Sequence, residues 1–134
     1  MNILLMLTPK NKVAYINEDS TVRQALEKME FHRYSAIPIL DREGGYVGTL
    51  TEGDLLWAVK NRFNLNLKAA ENIIVSSIPR NRDNLPVTIE ATFGDLVEKA
   101  VNQNFIPVLD GKSSFIGIVT RKDIIQYCYN KICN

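Results

Sequence analysis

The sequence predicts an α+β fold made of two pseudo-symmetric β-α-β-β-α repeats, each preceded by a short helix. Three observations carry this. Gly48-Thr49-Leu50-Thr51-Glu52-Gly53-Asp54 and Gly117-Ile118-Val119-Thr120-Arg121-Lys122-Asp123 both read Gly-x-x-Thr-x-x-Asp, and two apolar residues follow each. The pairs Pro38/Pro107, Asp41/Asp110, Gly48/Gly117, Thr51/Thr120 and Asp54/Asp123 all lie 69 residues apart, while Thr21 and Thr92 lie 71 apart. Finally, Val22, Ala25, Leu26 and Met29 fall at i, i+3, i+4 and i+7, as do Phe93, Leu96, Val97 and Ala100, so each copy has four apolar side chains on one helix face. Copies of about 60 residues are small for separate cores, which argues for one compact module with repeats at 1–62 and 63–134.

Each element has a local reason. Residues 2–8 form an apolar helical segment stopped by Pro9, 10–12 a turn and 13–16 a strand. Thr21 with Gln24 three residues on is a capping box, opening a helix to about Phe31. Strands at 36–40 and 46–50 flank a turn at 41–45, and a helix covers 52–62 with Leu55, Leu56 and Val59 as its apolar residues. A break at 64–66 precedes a helix over 68–77 ended by Pro79, then a polar loop at 80–84. The second repeat runs strand 87–89, helix 92–102, strand 106–109, turn 110–113, strand 115–119 and helix 121–132.

Composition narrows the function classes. The 134 residues are 46% hydrophobic and 23% charged, an ordinary globular balance, and the net charge of +1 gives no footing for nucleic acid. The apolar run at 3–7 is too short to cross a membrane, and no cleavable signal is visible. Cys128 and Cys133 lie five apart on one helix, poorly placed to pair, and His32 is the only histidine, so no zinc-type cluster forms. The expected compartment is the cytoplasm.

The doubled turn is where chemistry is expected. A helix start leaves N–H groups unpaired and carries partial positive charge, so it can hold a phosphate. Thr-x-x-Asp also resembles a capping box, which needs no ligand. Its recurrence in register favours a site.

The segments Ala36-Ile37-Pro38-Ile39-Leu40-Asp41 and Phe105-Ile106-Pro107-Val108-Leu109-Asp110, each followed by its Gly-x-x-Thr-x-x-Asp turn, resemble a tandem pair of CBS (cystathionine-β-synthase-type) domains over about residues 1–130. The resemblance implies a disc-like module with two clefts, each mixing the repeats, that bind adenosine compounds such as AMP, ATP or S-adenosylmethionine. The Asp would accept ribose hydroxyls, and the Thr and helix N–H groups would hold phosphate. One cleft would join Lys12, Val13, Ala14, Ser35, Ala36 and Ile37 to Thr120, Arg121, Lys122 and Asp123. The other, less favoured, would join Val87, Asn104, Phe105 and Ile106 to Thr51, Glu52 and Asp54. Ala36 leaves room for a flat ring where Phe105 fills it, and Arg121 and Lys122 suit phosphate where Glu52 repels it. Lys12-Val13-Ala14, the run from Tyr34 to Pro38, and Thr120-Arg121 also resemble small Gram-positive CBS-pair proteins that bind cyclic di-AMP. Asp123 suits the free diol of AMP, ADP or ATP better, since a cyclic dinucleotide lacks half of it.

Other residues have simpler expectations. His32 is read as a surface residue, Tyr15 and Tyr46 as packing residues on strands, and Arg80 and Arg82 as solvated loop residues, with Arg80 within reach of a phosphate. Trp57, Tyr127 and Tyr129 are expected at a homodimer surface. The functional expectation is a non-catalytic module with an adenine nucleotide as its regulatory ligand, no catalytic cofactor or metal, and an unknown downstream protein. The alternative is a purely structural dimerisation module whose turns are caps and nothing more.

Overall fold

The structure, a computed structural model, describes residues 2–133; Met1 and Asn134, the outer ends of the two predicted repeats, lie outside the described residues. In chain order, a 3₁₀ turn at Ile3–Leu5 leads to β1 (Thr8–Pro9), a turn at Lys10–Lys12, β2 (Ile16–Asn17), α1 (Val22–His32), β3 (Ala36–Leu40), β4 (Tyr46–Thr51) and α2 (Glu52–Arg62). Then come α3 (Leu67–Ala70), a 3₁₀ turn at Val75–Ser77, β5 (Val87–Thr88), α4 (Phe93–Ala100), β6 (Phe105–Leu109), β7 (Phe115–Thr120) and α5 (Arg121–Cys133). The two β-α-β-β-α repeats are present as expected.

The two repeats share the same strand registers. β2 runs parallel to β3 with Ile16 opposite Ile39, and β5 parallel to β6 with Val87 opposite Val108. In the antiparallel hairpins Pro38 faces Thr49 and Pro107 faces Ile118, and both registers shift at the next residue but one. Each hairpin turn is closed by its aspartate. Asp41 Oδ1 accepts the N–H groups of Glu43 and Gly45 at 2.9 and 2.7 Å, and Asp110 Oδ1 those of Lys112 and Ser114 at 2.8 and 2.9 Å. The bonds from Ser114 and Lys112 hold the Asp110 carboxyl below the usual carboxylate range.

The chain divides into two compact units, Ala14–Asp83 and Met1–Val13 with Asn84–Asn134. This spatial division differs from the division by repeat, because each lead-in segment joins the core of the other repeat. Val75 and Ile78, which precede the second repeat, are buried with Ile16, Met29, Ile37 and Leu50; Ile3, which precedes the first, is buried with Leu96, Ile106, Val108 and Ile124.

Several elements depart from the sequence expectation. The helix expected over 68–77 stops at Ala70, because the next residues cap α1: the N–H groups of Val22 and Arg23 donate to the carbonyls of Ile73 and Glu71 at 2.8 and 2.9 Å, and Val75 N–H donates to Ser20 O at 2.8 Å. Orphan first-turn amides are satisfied by this extended segment more fully than a helix there would allow. The expected strand at 13–16 is reduced to β2, leaving Tyr15 off any strand with its carbonyl bonded to Lys28 Nζ at 2.8 Å. The segment 2–8 holds only one turn of 3₁₀ helix before Thr8 and Pro9 pair with β7. On α4, Leu96 is buried and Phe93 and Ala100 pack against the core, but Val97 lies exposed at the rim of so short a helix. On α2, Leu55 and Ala58 face inward while Leu56 is exposed.

β1 covers the outer edge of β7, with Thr8 opposite Ile118 and Pro9 opposite Gly117. Proline is tolerated there because an edge strand needs no outward donor. Gly117 has φ +155°, and a Cβ on it would run into the Thr8 carbonyl oxygen. Gly117→Ala is therefore expected to lower the urea midpoint, at a cost of about 1–3 kcal/mol from forced displacement of β1.

Candidate ligand site

Four helices begin with a threonine cap, and their third residues behave differently. Thr21/Gln24, Thr51/Asp54 and Thr92/Asp95 form complete reciprocal boxes, the threonine oxygen accepting one N–H and the partner side chain accepting the threonine's own N–H. At Thr120/Asp123 the first half is present: Asp123 N–H donates to Thr120 Oγ1 at 3.1 Å. The Asp123 carboxylate, half-buried at the head of α5, accepts no hydrogen bond from the described residues.

The two motif copies thus differ in what they can still bind. Asp54 Oδ2 accepts Thr51 N–H and Oδ1 accepts Asn81 N–H, both at 3.0 Å, and the residue is only 5% exposed. Asp123 retains its lone pairs for an external donor, such as a hydroxyl pair.

The amides of the first turn of α5 are partly used. Arg121 N–H donates to Asn104 O at 2.9 Å, the counterpart of Glu52 N–H to Ser35 O at 3.0 Å, and Asp123 N–H meets Thr120. Lys122, exposed at the second position, supplies both a cation and a first-turn amide for which no such partner lies among the described residues. Arg121 is less available than its position implies. Its Nε donates to Ala100 O, the last carbonyl of α4, at 2.8 Å, a favourable place for a cation, so only its terminal nitrogens remain for a ligand.

The other expected site residues fall as follows. Lys12 is exposed on the turn after β1, which the register of β1 carries towards the start of β7 and not its Thr120 end. Val13 is buried in the same unit as Thr120, Arg121, Lys122 and Asp123. In the other unit Ala14 and Ile37 are buried, Ala36 is half-buried at the start of β3, and Ser35 is exposed. Of the less favoured set, Thr51 and Asp54 sit in the unit 14–83. Val87, Asn104, Phe105 and Ile106 belong to the unit of α5. Phe105 is buried there, and its carbonyl accepts from Asn84 Nδ2 at 3.0 Å and Gln103 Nε2 at 3.3 Å.

Sequence reasoning missed the polar network around β4. Arg80 is not solvated: its Nε and Nη2 reach Asp83 Oδ1 and Oδ2 at 2.7 and 3.3 Å, and Asp83 Oδ1 also accepts Thr49 N–H at 3.0 Å. Burial alone would raise the Asp83 pKa, but the bonds from Arg80 and Thr49 and the charge of Arg80 bring it below the usual range. The signal available in sequence was the spacing Arg-x-x-Asp, which alone is too common to read. His32 ends α1 on the surface, its ring 4.9 Å from Phe31 and 5.6 Å from Tyr34. Tyr46 Oη meets Thr49 Oγ1 at 2.6 Å. Trp57 and Tyr129 are exposed, while Tyr127 packs on Phe93 with centroids 4.9 Å apart.

Comparison with known proteins agrees with this architecture. A family model described as CBS domain matches residues 5–61 and again 75–130. A CBS domain-containing protein of Dictyostelium discoideum is 30% identical over 133 residues, covering 94% of this chain and 91% of that protein. The structure of the Listeria monocytogenes CbpB protein in complex with c-di-AMP is similar at a TM-score of 0.83 and 23% identity, over 97% of this chain and 96% of that one. That of CBSX2 in complex with AMP is similar at 0.78 and 20% identity, over 96% of each chain. At these identities the solved structures speak for the fold.

Proposed function

This chain belongs to the CBS domain family, and on that premise we propose that it is a non-catalytic sensor that binds an adenine nucleotide at the Thr120/Asp123 turn and signals to a partner protein in the cytoplasm. The observation that carries the reading is the Asp123 carboxylate. Among the described residues, it is the one third-position group of the threonine-capped helices that does not close its own cap. A carboxylate left open beside helix N–H groups and Lys122 fits a ligand with a hydroxyl pair at one end and phosphate at the other. Lys12, Val13, Ala14, Ser35, Ala36 and Ile37 are assigned to the same ligand on the resemblance to CBS pairs alone. Similar folds held c-di-AMP in one case and AMP in another, and the diol argument favours AMP, ADP or ATP for this chain.

Regulation requires the ligand to prefer one state of the protein, and a partner to read that state. A second reading, a structural dimerisation module, draws on the exposed apolar residues Leu56 and Trp57 of α2 and Ile125, Tyr129 and Ile132 of α5. The two readings combine in a homodimeric sensor.

A thermal-shift panel of AMP, ADP, ATP, cyclic di-AMP and S-adenosylmethionine tests the reading. A ligand at a hundredfold its Kd adds about 2.7 kcal/mol, or roughly 4 °C or more. We expect at least one mononucleotide to give that shift on the native protein and none on Asp123→Ala. A flat panel on the native protein would leave the dimerisation reading ahead.

A further inference from the structure

We propose that the loop at residues 80–83 is a built-in plug that selects between the two Thr-x-x-Asp turns, so that the chain takes one nucleotide and not two. The inference rests on the reading above for the Thr120/Asp123 turn, and concerns the turn that the reading leaves empty.

Asn81 N–H bonds to Asp54 Oδ1 at 3.0 Å, at the atom a ribose hydroxyl would need. With Thr51 N–H on the other oxygen, both carboxylate oxygens already have donors in a residue that is almost fully buried. The plug is anchored in its turn. Asp83 bonds the outward N–H of Thr49 on the edge strand β4, and Arg80 grips both Asp83 oxygens. Gly48 makes that approach possible, because a Cβ there would fall 2.5 Å from Asp83 Oδ1. In the other repeat the same edge, at Gly117, is covered by the backbone of β1, which brings no amide to Asp123. The two turns thus share a motif but not a neighbour, and the neighbour decides which one stays open. None of the anchoring groups belongs to the apolar core, so the plug can be released without unpacking it.

Two measurements on the full chain decide this: amide hydrogen exchange without ligand, and calorimetric titration with AMP. In the native protein the Asn81 amide is expected to exchange about tenfold or more slowly than an open loop, and AMP to bind at one per chain. Asp83→Ala, or the milder Arg80→Ala if the first folds poorly, carried together with Glu52→Gln and Phe105→Leu to remove the phosphate repulsion and the bulk expected of those two residues, is expected to lose that protection and bind two. Native stoichiometry of two, an unprotected Asn81 amide in the native protein, or a released variant still binding one would each overturn the plug. If neither protein binds AMP, ADP or ATP, the Thr120/Asp123 reading fails, and Asn81 exchange by itself decides whether Asp54 is closed.

Discussion

A chain cut after Arg62 is expected to be unfolded in buffer, although it contains the whole first sequence repeat. The core that includes Ile16, Met29, Ile37 and Leu50 also contains Val75 and Ile78, both essentially without solvent exposure. Losing two buried aliphatic side chains costs about 1.5–3 kcal/mol each. The three backbone bonds between residues 71–75 and the start of α1 go with them, at about 0.5–1.5 kcal/mol apiece. A unit of this size has only about 4–10 kcal/mol in total, so the loss is comparable with the whole. Residues 14–83, only slightly longer, keep all of these interactions. Far-UV circular dichroism and amide dispersion should show a folded spectrum for 14–83 and a disordered one for 1–62. A folded 1–62 fragment would mean that the lead-in segment is an accessory and not part of the core.

The same exchange of lead-in segments marks the limit of what could be read from sequence. Much that local rules set was legible: the doubled hairpins at a spacing of 69, the threonine caps and the turns at Asp41 and Asp110 follow from neighbours a few residues apart. The segment 68–77 reads as a helix between the break at 64–66 and Pro79, but long-range demand won, because α1 needed acceptors for Val22 and Arg23 and the chain extended to supply them. At the candidate site, the residue types were legible and their availability was not. Arg121 carries the charge that suits phosphate, yet its Nε serves α4. Asp54 and Asp123 hold the same place in the motif, and what separates them is their hydrogen bonds: Asp54 accepts Thr51 N–H and Asn81 N–H, while among the described residues Asp123 accepts neither counterpart. The loop at 80–83 read as solvated because an Arg-x-x-Asp pair gains its meaning from the β4 edge it touches.

That separation yields the second large effect, measured without any ligand. Asp54→Ala removes the acceptor of two backbone N–H groups, from Thr51 and Asn81, at a buried position. Losing the cap costs about 1 kcal/mol, and a buried donor left without a partner adds about 1–3 kcal/mol. The expected loss is about 2–4 kcal/mol, or roughly 10 °C in Tm for a chain of this length. Asp123→Ala keeps the backbone bond from its own N–H to Thr120 Oγ1 and removes only a carboxylate that serves no cap. What remains is its attraction to the helix N-terminus, about 0.3–1 kcal/mol, hence a shift of a few degrees at most. Equal losses at the two positions would show that Asp123 closes its cap in solution as Asp54 does, and the argument for an open ribose acceptor would fall with it. A large loss at Asp54 beside a small one at Asp123 would show that one copy of the motif serves the fold, leaving the other available to a ligand.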